Sequence, residues 1–543
     1  MGATSTVDLA GEREALADAR RAVGAKLAGL SSIAVAGADA FADEYITAVV
    51  AGAVEKYQQE LVVFGRIDDD HPWRVGLYGI DSGGEQLVID WRAPFAEAFY
   101  QASFDDPQGL ARRVSYVGSI DDLMIEEFAT GEVSGSSPLM AELSRSRGET
   151  MRAAVATLQS DQDRLVRLDP SAKLVLRGGP GTGKTVVGLH RAAWLVYNDR
   201  RVTADRILVI GPSDRFLQFV SAVLPTLGEA RITQTTFDRL LGPSSEPGSD
   251  PRWLAVLDRF ETGICTPGEI KVGLRRIREP EVADLIDRLA TRELPWRDRR
   301  KVFVDTLAGR HEVKPGAVSE AALDVWPRLT TTQVWKRLRS RGALVELGAE
   351  RDLIDAWLAV DGDGALADEV RARVEGVPAR YSHVIVDEAQ DLTAFQLRAV
   401  MRRSPGLTLV GDDAQRRRGT GIGLRAAARI LDVELEQMAT AYRMSAEIAE
   451  WLNDFALGHG IDSVELIGIR PTGNPVREIQ VGEVEQAETD LRSRWSNVAV
   501  IRADEVWVHK GIEYDGVVVE RHGMTDPEVY LAASRAAHEL VLA

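Results

Sequence analysis

Three short runs hold the residues best suited to chemistry. Gly178, Gly179, Pro180, Gly181, Thr182, Gly183, Lys184 and Thr185 spell G-x-x-x-x-G-K-T directly after the apolar run Leu174–Leu176. Glycines let backbone N–H groups turn inward around phosphate oxygens, Lys184 supplies a point charge to the β and γ phosphates, and the Thr185 hydroxyl is a magnesium ligand. A helix starting there points its positive end at the same anion. The phosphate cradle is thus Gly178, Gly179, Gly181, Thr182, Gly183, Lys184 and Thr185. Farther on, Asp387 and Glu388 end the apolar run His383–Val386. Asp387 would hold the metal, and Glu388 would orient and deprotonate an attacking water. Two acids after a strand are just as often helix N-caps; the glycine loop is what tips the reading to catalysis. Leu409, Val410 and Gly411 close a third strand, after which the amide of Gln415 is placed to sense the γ-phosphate. The chemistry is hydrolysis of a nucleoside triphosphate, ATP with Mg2+.

Such residues need strands to carry them and helices to buttress those strands. An α/β rhythm begins at Leu174, runs through a helix to Tyr197 and a second strand at Ile207–Gly211, and stops near Gly242–Gly248. A charged, helical stretch of about 130 residues intervenes before the rhythm resumes at His383. Ahead of all this, Leu9 to Leu61 reads as two helices broken near Gly29–Ser32, with Leu16, Ala19, Val23 and Leu27 on one stripe. That hairpin is either part of a larger core or a projecting arm. Between Leu61 and Gln101, three runs (62–67, 74–80 and 86–91) predict a small antiparallel sheet, and residues 130 to 160 predict helix with a break at Ser134–Pro138. Trp91 and Phe99 read as core residues.

Composition narrows the classes. With one cysteine, Cys265, no intramolecular disulfide and no thiolate zinc site can form, and the eight histidines lack metal-ligand spacing. No apolar run approaches the roughly 20 residues that span a bilayer, and the first residues lack the basic and apolar pattern of a signal peptide. The expectation is a cytoplasmic protein without a membrane partner. A net charge of −18 would repel a phosphate backbone on average and suits a partner with a basic cleft.

The order and wording of these motifs resemble the UvrD/Rep group of superfamily 1 helicases, which implies two RecA-like lobes and further site residues. Gln162 is similar to the adenine-reading glutamine. In Tyr442–Arg443, Tyr442 would stack on adenine and Arg443 would reach the γ-phosphate. In the run Lys510–Asp515, Glu513 would lie near the ribose, and Arg535 in Ala533–Ala536 matches the arginine finger. Thr235–Phe237 resembles the motif after the second strand.

Three features depart from a DNA helicase. About 160 residues precede Gln162; only 67 positions separate Arg443 from Lys510, too few for the usual accessory domain; and Arg416–Thr420 lacks the aromatics that stack on single-stranded bases. The stretch Val88–Tyr100, with Phe64–Ile67 before it, resembles instead the HelD family, helicase-like ATPases that bind bacterial RNA polymerase and release it from nucleic acid. By that resemblance the N-terminal hairpin would enter the secondary channel of the polymerase, and the insert, with Val325–Thr330 near its end, would pry at its clamp and main channel.

The expected fold class is α/β: two RecA-like P-loop lobes with an N-terminal helical hairpin, a small β-rich region and a helical insert in the first lobe. The expected divisions are 1–60 hairpin arm, 61–149 β-rich and helical region, 150–240 and 376–430 the first lobe, 241–375 the insert, and 431–543 the second lobe. The expected partner is the RNA polymerase core, with nucleic acid reached indirectly through it, and the protein is expected to be a monomer. A 3′-to-5′ DNA helicase, or a factor that uses nucleotide only as a latch, are the other two readings.

Overall fold

The computed structural model describes residues 7–34, 63–117, 119–135, 137, 158–227, 229, 231–417, 419 and 421–543. The second helix of the expected hairpin, most of the helix expected before residue 158, and the side chains of Arg418 and Thr420 lie outside them.

The helix Leu9–Ala34 does not stand clear of the molecule over its first turns. Val7, Ala19 and Val23 pack on Val63, Ile80, Val88, Val114 and Tyr116 of the adjoining sheet. Glu12 is buried there and accepts hydrogen bonds from Arg66 (2.6 Å), Arg74 (2.7 Å) and Tyr116 (2.6 Å). Burial pushes its carboxyl up, but these three partners outweigh burial and hold it below the usual range. This part of the expected arm belongs to a core.

The sheet has seven strands, in the spatial order Ile80–Ser82, Glu85–Asp90, Pro72–Gly76, Val63–Asp68, Arg112–Val117, Ser119–Glu127 and Glu132–Gly135. It differs from the expectation in two ways. Pro72–Gly76 and Glu85–Asp90 run parallel, and the sheet continues to residue 135, so a strand stands where helix was expected to begin at 130. The added strands Arg112–Val117 and Ser119–Glu127 are highly charged; they hold through cross-strand pairs, Arg113 with Glu126 (2.5 Å) and Arg112 with Glu127.

The next sheet is all parallel: Thr233–Thr235, Ile207–Ile210, His383–Val386, Gly406–Gly411, Leu174–Gly178 and Leu435–Met438. Its inner strands are wholly buried, which is why they read as continuous apolar runs. The last strand corrects the expected division at 431. Leu435–Met438 pairs with Leu174–Gly178, so the chain stays in the first lobe through Met438.

Helices from Arg252–Ile264 to Gly364–Val374 and the β-hairpin Ile270–Val272 with Arg275–Ile277 form the insert. It has two cores, one around Trp253 and Trp357 that includes Phe395 of the first lobe, and one around Trp296, Phe303 and Trp326. The second lobe holds the parallel strands Arg477–Glu478, Ala536–Leu542, Tyr514–Val519 and Val498–Ile501, together with the parallel pair Thr440–Ser445 and Ile467–Arg470. Each lobe is thus built on a parallel sheet flanked by helices, as the expected α/β class requires. Among the described residues no helix is long and apolar enough to cross a membrane.

Candidate functional site

The inner strand Leu174–Gly178 delivers the glycine loop to the C-terminal end of its sheet, and the helix Lys184–Asn198 leaves it. Gly183 caps that helix at φ 86°, a left-handed conformation that favours glycine, and a Cβ there would lie 2.6 Å from the Gln162 amide nitrogen. The loop is braced internally by Thr182 Oγ1, which donates to the Gly179 carbonyl at 2.8 Å. Gln162 is buried against the same loop: its Nε2 donates to the Thr182 carbonyl (3.0 Å), and its Oε1 accepts from the Gln159 amide (3.1 Å).

In the order of the sheet, the strand Gly406–Gly411 lies between Leu174–Gly178 and His383–Val386. That spacing sets Asp387 across from Thr185, whose Oγ1 donates to Asp387 Oδ2 at 2.8 Å. A hydroxyl and a carboxylate so joined beside Lys184 are the donor set a magnesium ion on a triphosphate takes. Asp387 Oδ1 accepts from the Glu388 amide at 2.8 Å. Glu388 sits at φ 54°, which for a residue with a Cβ is a strained backbone of the kind found at functional turns. The two acids titrate apart. Burial and the neighbouring Glu388 charge raise Asp387, whereas for Glu388 burial is outweighed by Lys510 and Lys184 and the carboxyl is held low.

Two further residues of the first lobe hold this corner. Gln390, fully buried, donates from Nε2 to Glu388 Oε2 (2.7 Å) and accepts from the Asp412 amide (3.0 Å). Asp412 takes the Gln415 Nε2 at 2.9 Å, and burial raises its carboxyl. Gln415 Oε1 is thereby turned to accept from Arg535 Nη2 of the second lobe at 2.8 Å. Arg535 is otherwise held by Leu531 and Ser534 and is 4% exposed, so its guanidinium is placed by its own lobe and shared with the first.

The other second-lobe residues gather at the loop. The amides of Tyr442 and Arg443 both donate to the Gly181 carbonyl (3.0 and 3.4 Å), and the Tyr442 hydroxyl donates to Asp161 (3.2 Å) beside Gln162. The Arg443 guanidinium lies 3.5 Å from Glu513, so these two expected nucleotide contacts pair with each other. All the expected site residues therefore fall in one cleft between the lobes. Sequence reasoning gave no role to Lys510, whose Nζ lies 2.6 Å from Asp391, 3.2 Å from Glu388 and 3.0 Å from the Gln415 carbonyl. It also missed Gln390, Asp412 and Arg177, the last of which binds Asp462 of the second lobe at 2.8 Å. Lys510 and Arg177 have their partners far along the chain, whereas Gln390 and Asp412 bond within their own turns and to each other, where an amide or acid beside a motif carries no signal of its own.

The back of this lobe carries the Asp90–Trp91–Arg92 stretch. The Trp91 indole meets the His190 ring on the glycine-loop helix, with centroids 5.3 Å apart. Arg92 pairs with Asp90 (2.8 Å) and Glu229 (2.9 Å), and Asn198 donates to the Arg92 carbonyl (2.9 Å). One continuous core runs from Phe64, Ile67, Trp91 and Phe99 into Leu174, Leu176 and Val187.

Comparison with known proteins gives two family matches. Residues 4–123 match the family described as DNA helicase IV HelD, N-terminal domain, and residues 162–419 match the family described as AAA domain. The second match makes the first lobe a P-loop nucleotide-binding domain. No curated protein is similar to the chain. Among solved structures, Arterivirus nonstructural protein 10 (helicase) with DNA is 11% identical at a TM-score of 0.30, over 70% of this chain and 62% of that one. The PRRSV helicase is 10% identical at a TM-score of 0.30, over 71% and 55%. The chain spans less than two thirds of the length of either.

Proposed function

Because the chain is a HelD-like protein of the UvrD/Rep group, we propose that it is an ATP-hydrolysing motor that binds the RNA polymerase core and remodels it or releases it from nucleic acid. The observation that carries this reading is the shared core between the matched N-terminal domain and the glycine-loop lobe, pinned by Trp91 on His190. A domain welded to the back of the phosphate-binding helix keeps a fixed place relative to the nucleotide, so closure of the second lobe shifts whatever that lobe carries against whatever the domain holds.

In this reading Lys184 neutralises the β and γ phosphates, and Gly178, Gly179, Gly181, Thr182 and Gly183 surround them with backbone N–H groups. Thr185 and Asp387 hold magnesium, which when bound neutralises charge shared by those phosphates. Water attacks the γ-phosphorus, Glu388 takes its proton, and the bond to the β–γ bridging oxygen breaks to leave ADP and phosphate. Arg535 and Arg443 stabilise the charge of that step from the second lobe, and Gln415 reports it to Arg535 through their hydrogen bond. Gln162 and Tyr442 bind adenine, and Glu513 binds ribose. The protein acts as a cytoplasmic monomer and reaches nucleic acid through the polymerase.

Purified polymerase core, with and without the protein, provides the test. A complex that co-elutes without nucleotide, and that ATP drives to release a bound DNA–RNA scaffold, is expected. Replacing residues 36–60 with a Gly/Ser linker keeps the buried face of the first helix; it should weaken the complex and leave ATP binding intact. If no complex forms and a tailed DNA duplex strongly stimulates hydrolysis, the DNA helicase reading replaces this one. A complex whose ATP is bound but not turned over selects the latch.

A further inference from the structure

We propose that Lys510 is a positioning residue through which the second lobe sets the catalytic base. The proposal rests on the reading of Glu388 as that base. Lys510 follows the short 3-10 turn Val506–His509 of the second lobe, and its side chain is 12% exposed. Its ammonium has three N–H donors and meets three acceptors of the first lobe: Asp391 Oδ2 at 2.6 Å, the Gln415 carbonyl at 3.0 Å and Glu388 Oε2 at 3.2 Å. Lys510 thus hydrogen-bonds Asp391 and the Gln415 carbonyl and ion-pairs with Glu388, all groups of the first lobe.

The contact on Glu388 is specific in a second respect. Gln390 Nε2 also donates to Oε2 of Glu388, at 2.7 Å. Two donors on one oxygen fix the plane of the carboxylate, and Oε1 is left to receive the proton of the attacking water. Gln390 belongs to the same lobe as Glu388 and is present whatever the second lobe does. Lys510 is present only when the second lobe is seated. Half of the clamp is therefore built by lobe closure, and an open molecule can hold ATP with its base incompletely oriented. Asp391 is the anchor: it carries the shortest of the three contacts, and its other oxygen accepts from the Arg417 amide at 2.9 Å.

A plain tie between the lobes would also place a lysine among acceptors, and the experiment separates the two roles. Steady-state hydrolysis and the affinity for a fluorescent ATP analogue are measured on the full chain for K510M, K510R, E388Q and E388Q/K510M. K510M should lower kcat by about 10- to 100-fold, the usual effect of losing a partner that orients a reacting group, while nucleotide affinity stays within about two-fold. K510R should regain most of the rate, because a guanidinium still offers donors to Asp391 and Glu388. Adding K510M to E388Q should cost nothing further, since there is no base left to orient. Equal loss of kcat and affinity in K510M marks a tie and overturns the proposal, as does a K510M rate within two-fold of the parent or above it. An E388Q protein that hydrolyses normally overturns the base assignment itself, a different failure.

Discussion

The first lobe shares an apolar core with the N-terminal sheet, whereas the second lobe keeps its own core and meets the first mainly through single polar side chains. On one side, Phe64, Ile67, Trp91 and Phe99 continue without a break into Leu174, Leu176 and Val187. On the other, the second-lobe core reaches the first at Ala414, and polar ties between the lobes include Arg535 to Gln415, Lys510 to Asp391 and Glu388, Arg177 and Arg425 to Asp462, and Tyr442 to Gly181 and Asp161. Apolar cores are close-packed and resist sliding, whereas polar ties can be exchanged for water or phosphate at small net cost. The contrast teaches which part moves. On this contrast the second lobe is expected to act as the closing jaw, with the N-terminal sheet fixed to the first lobe.

The largest effects belong to the fixed side. Lys184→Ala removes the cation from the phosphate cradle and should abolish measurable ATP binding. Glu388→Gln keeps the shape of the base and removes its proton acceptor, so binding should persist while kcat falls by roughly 10³-fold, within the range of general-base losses. Phosphate release and analogue binding measured side by side would show the split, and hydrolysis by the glutamine variant at the parent rate would end the assignment. The moving side should respond differently. Arg535→Ala should lower kcat by about 10³-fold, as loss of an arginine finger does, with a much smaller change in affinity. Equal losses in both would mean that Arg535, which also bonds Leu531, Ser534 and the Ile512 carbonyl, only holds its own lobe together.

The placement of the candidate site was legible in the sequence where it is local. The glycine loop, the Asp387–Glu388 pair and Gln415 lie at the ends of buried apolar strands, and strand-then-turn is a pattern of neighbours. Partnership was not legible. Lys510 and Asp391 are 119 positions apart, and nothing in either neighbourhood names the other. The strand Leu435–Met438 escaped because an edge strand of four residues, half of them polar, has no apolar run to announce it. The two charged strands beyond Arg112 escaped for a related reason: they are held by arginine–glutamate pairs across the ladder, and a charge reads as surface until its partner is known. The helix Leu9–Ala34 showed its buried stripe but not what the stripe packs on, so periodicity alone could not separate core from the expected arm.

The weld behind the glycine loop can be broken directly. Trp91 is fully buried, and Trp91→Ala should destabilise the protein by about 3–5 kcal/mol, as truncation of a buried tryptophan does. If the sheet and first lobe are one body, calorimetry of the parent should give a single transition for them, and the variant should lower it as a unit. Two transitions, with only the earlier one moved, would make the N-terminal sheet a separate domain that merely leans on the lobe.

Charge holds the insert to the same lobe alongside the core that takes in Phe395, and a change of pH is the mildest way to probe it. Asp368 and Glu369 on the helix Gly364–Val374 face arginines of the helix Ala394–Arg403: Asp368 meets Arg403 at 2.6 Å and Arg402 at 3.0 Å, and Glu369 meets Arg402 at 2.5 Å and Arg398 at 3.0 Å. Burial pushes both carboxyls up, yet Arg403 and Arg402 around Asp368, and Arg398, Arg402 and Arg373 around Glu369, outweigh it and hold both at about 2. A carboxyl depressed in the folded protein stabilises it above its unfolded value, near 4, and that stability is lost as the pH falls from about 4 to about 2. Each carboxylate contributes on the order of 2 kcal/mol by this route, so acid should loosen the insert from the lobe. Trp253 and Trp357 in the adjoining core make near-ultraviolet circular dichroism the readout. Asp368→Asn with Glu369→Gln should be less stable at pH 7 and should lose most of the change between pH 4 and 2. An acid profile identical to the parent's would mean that the insert is held by Trp253, Trp357 and Phe395 alone.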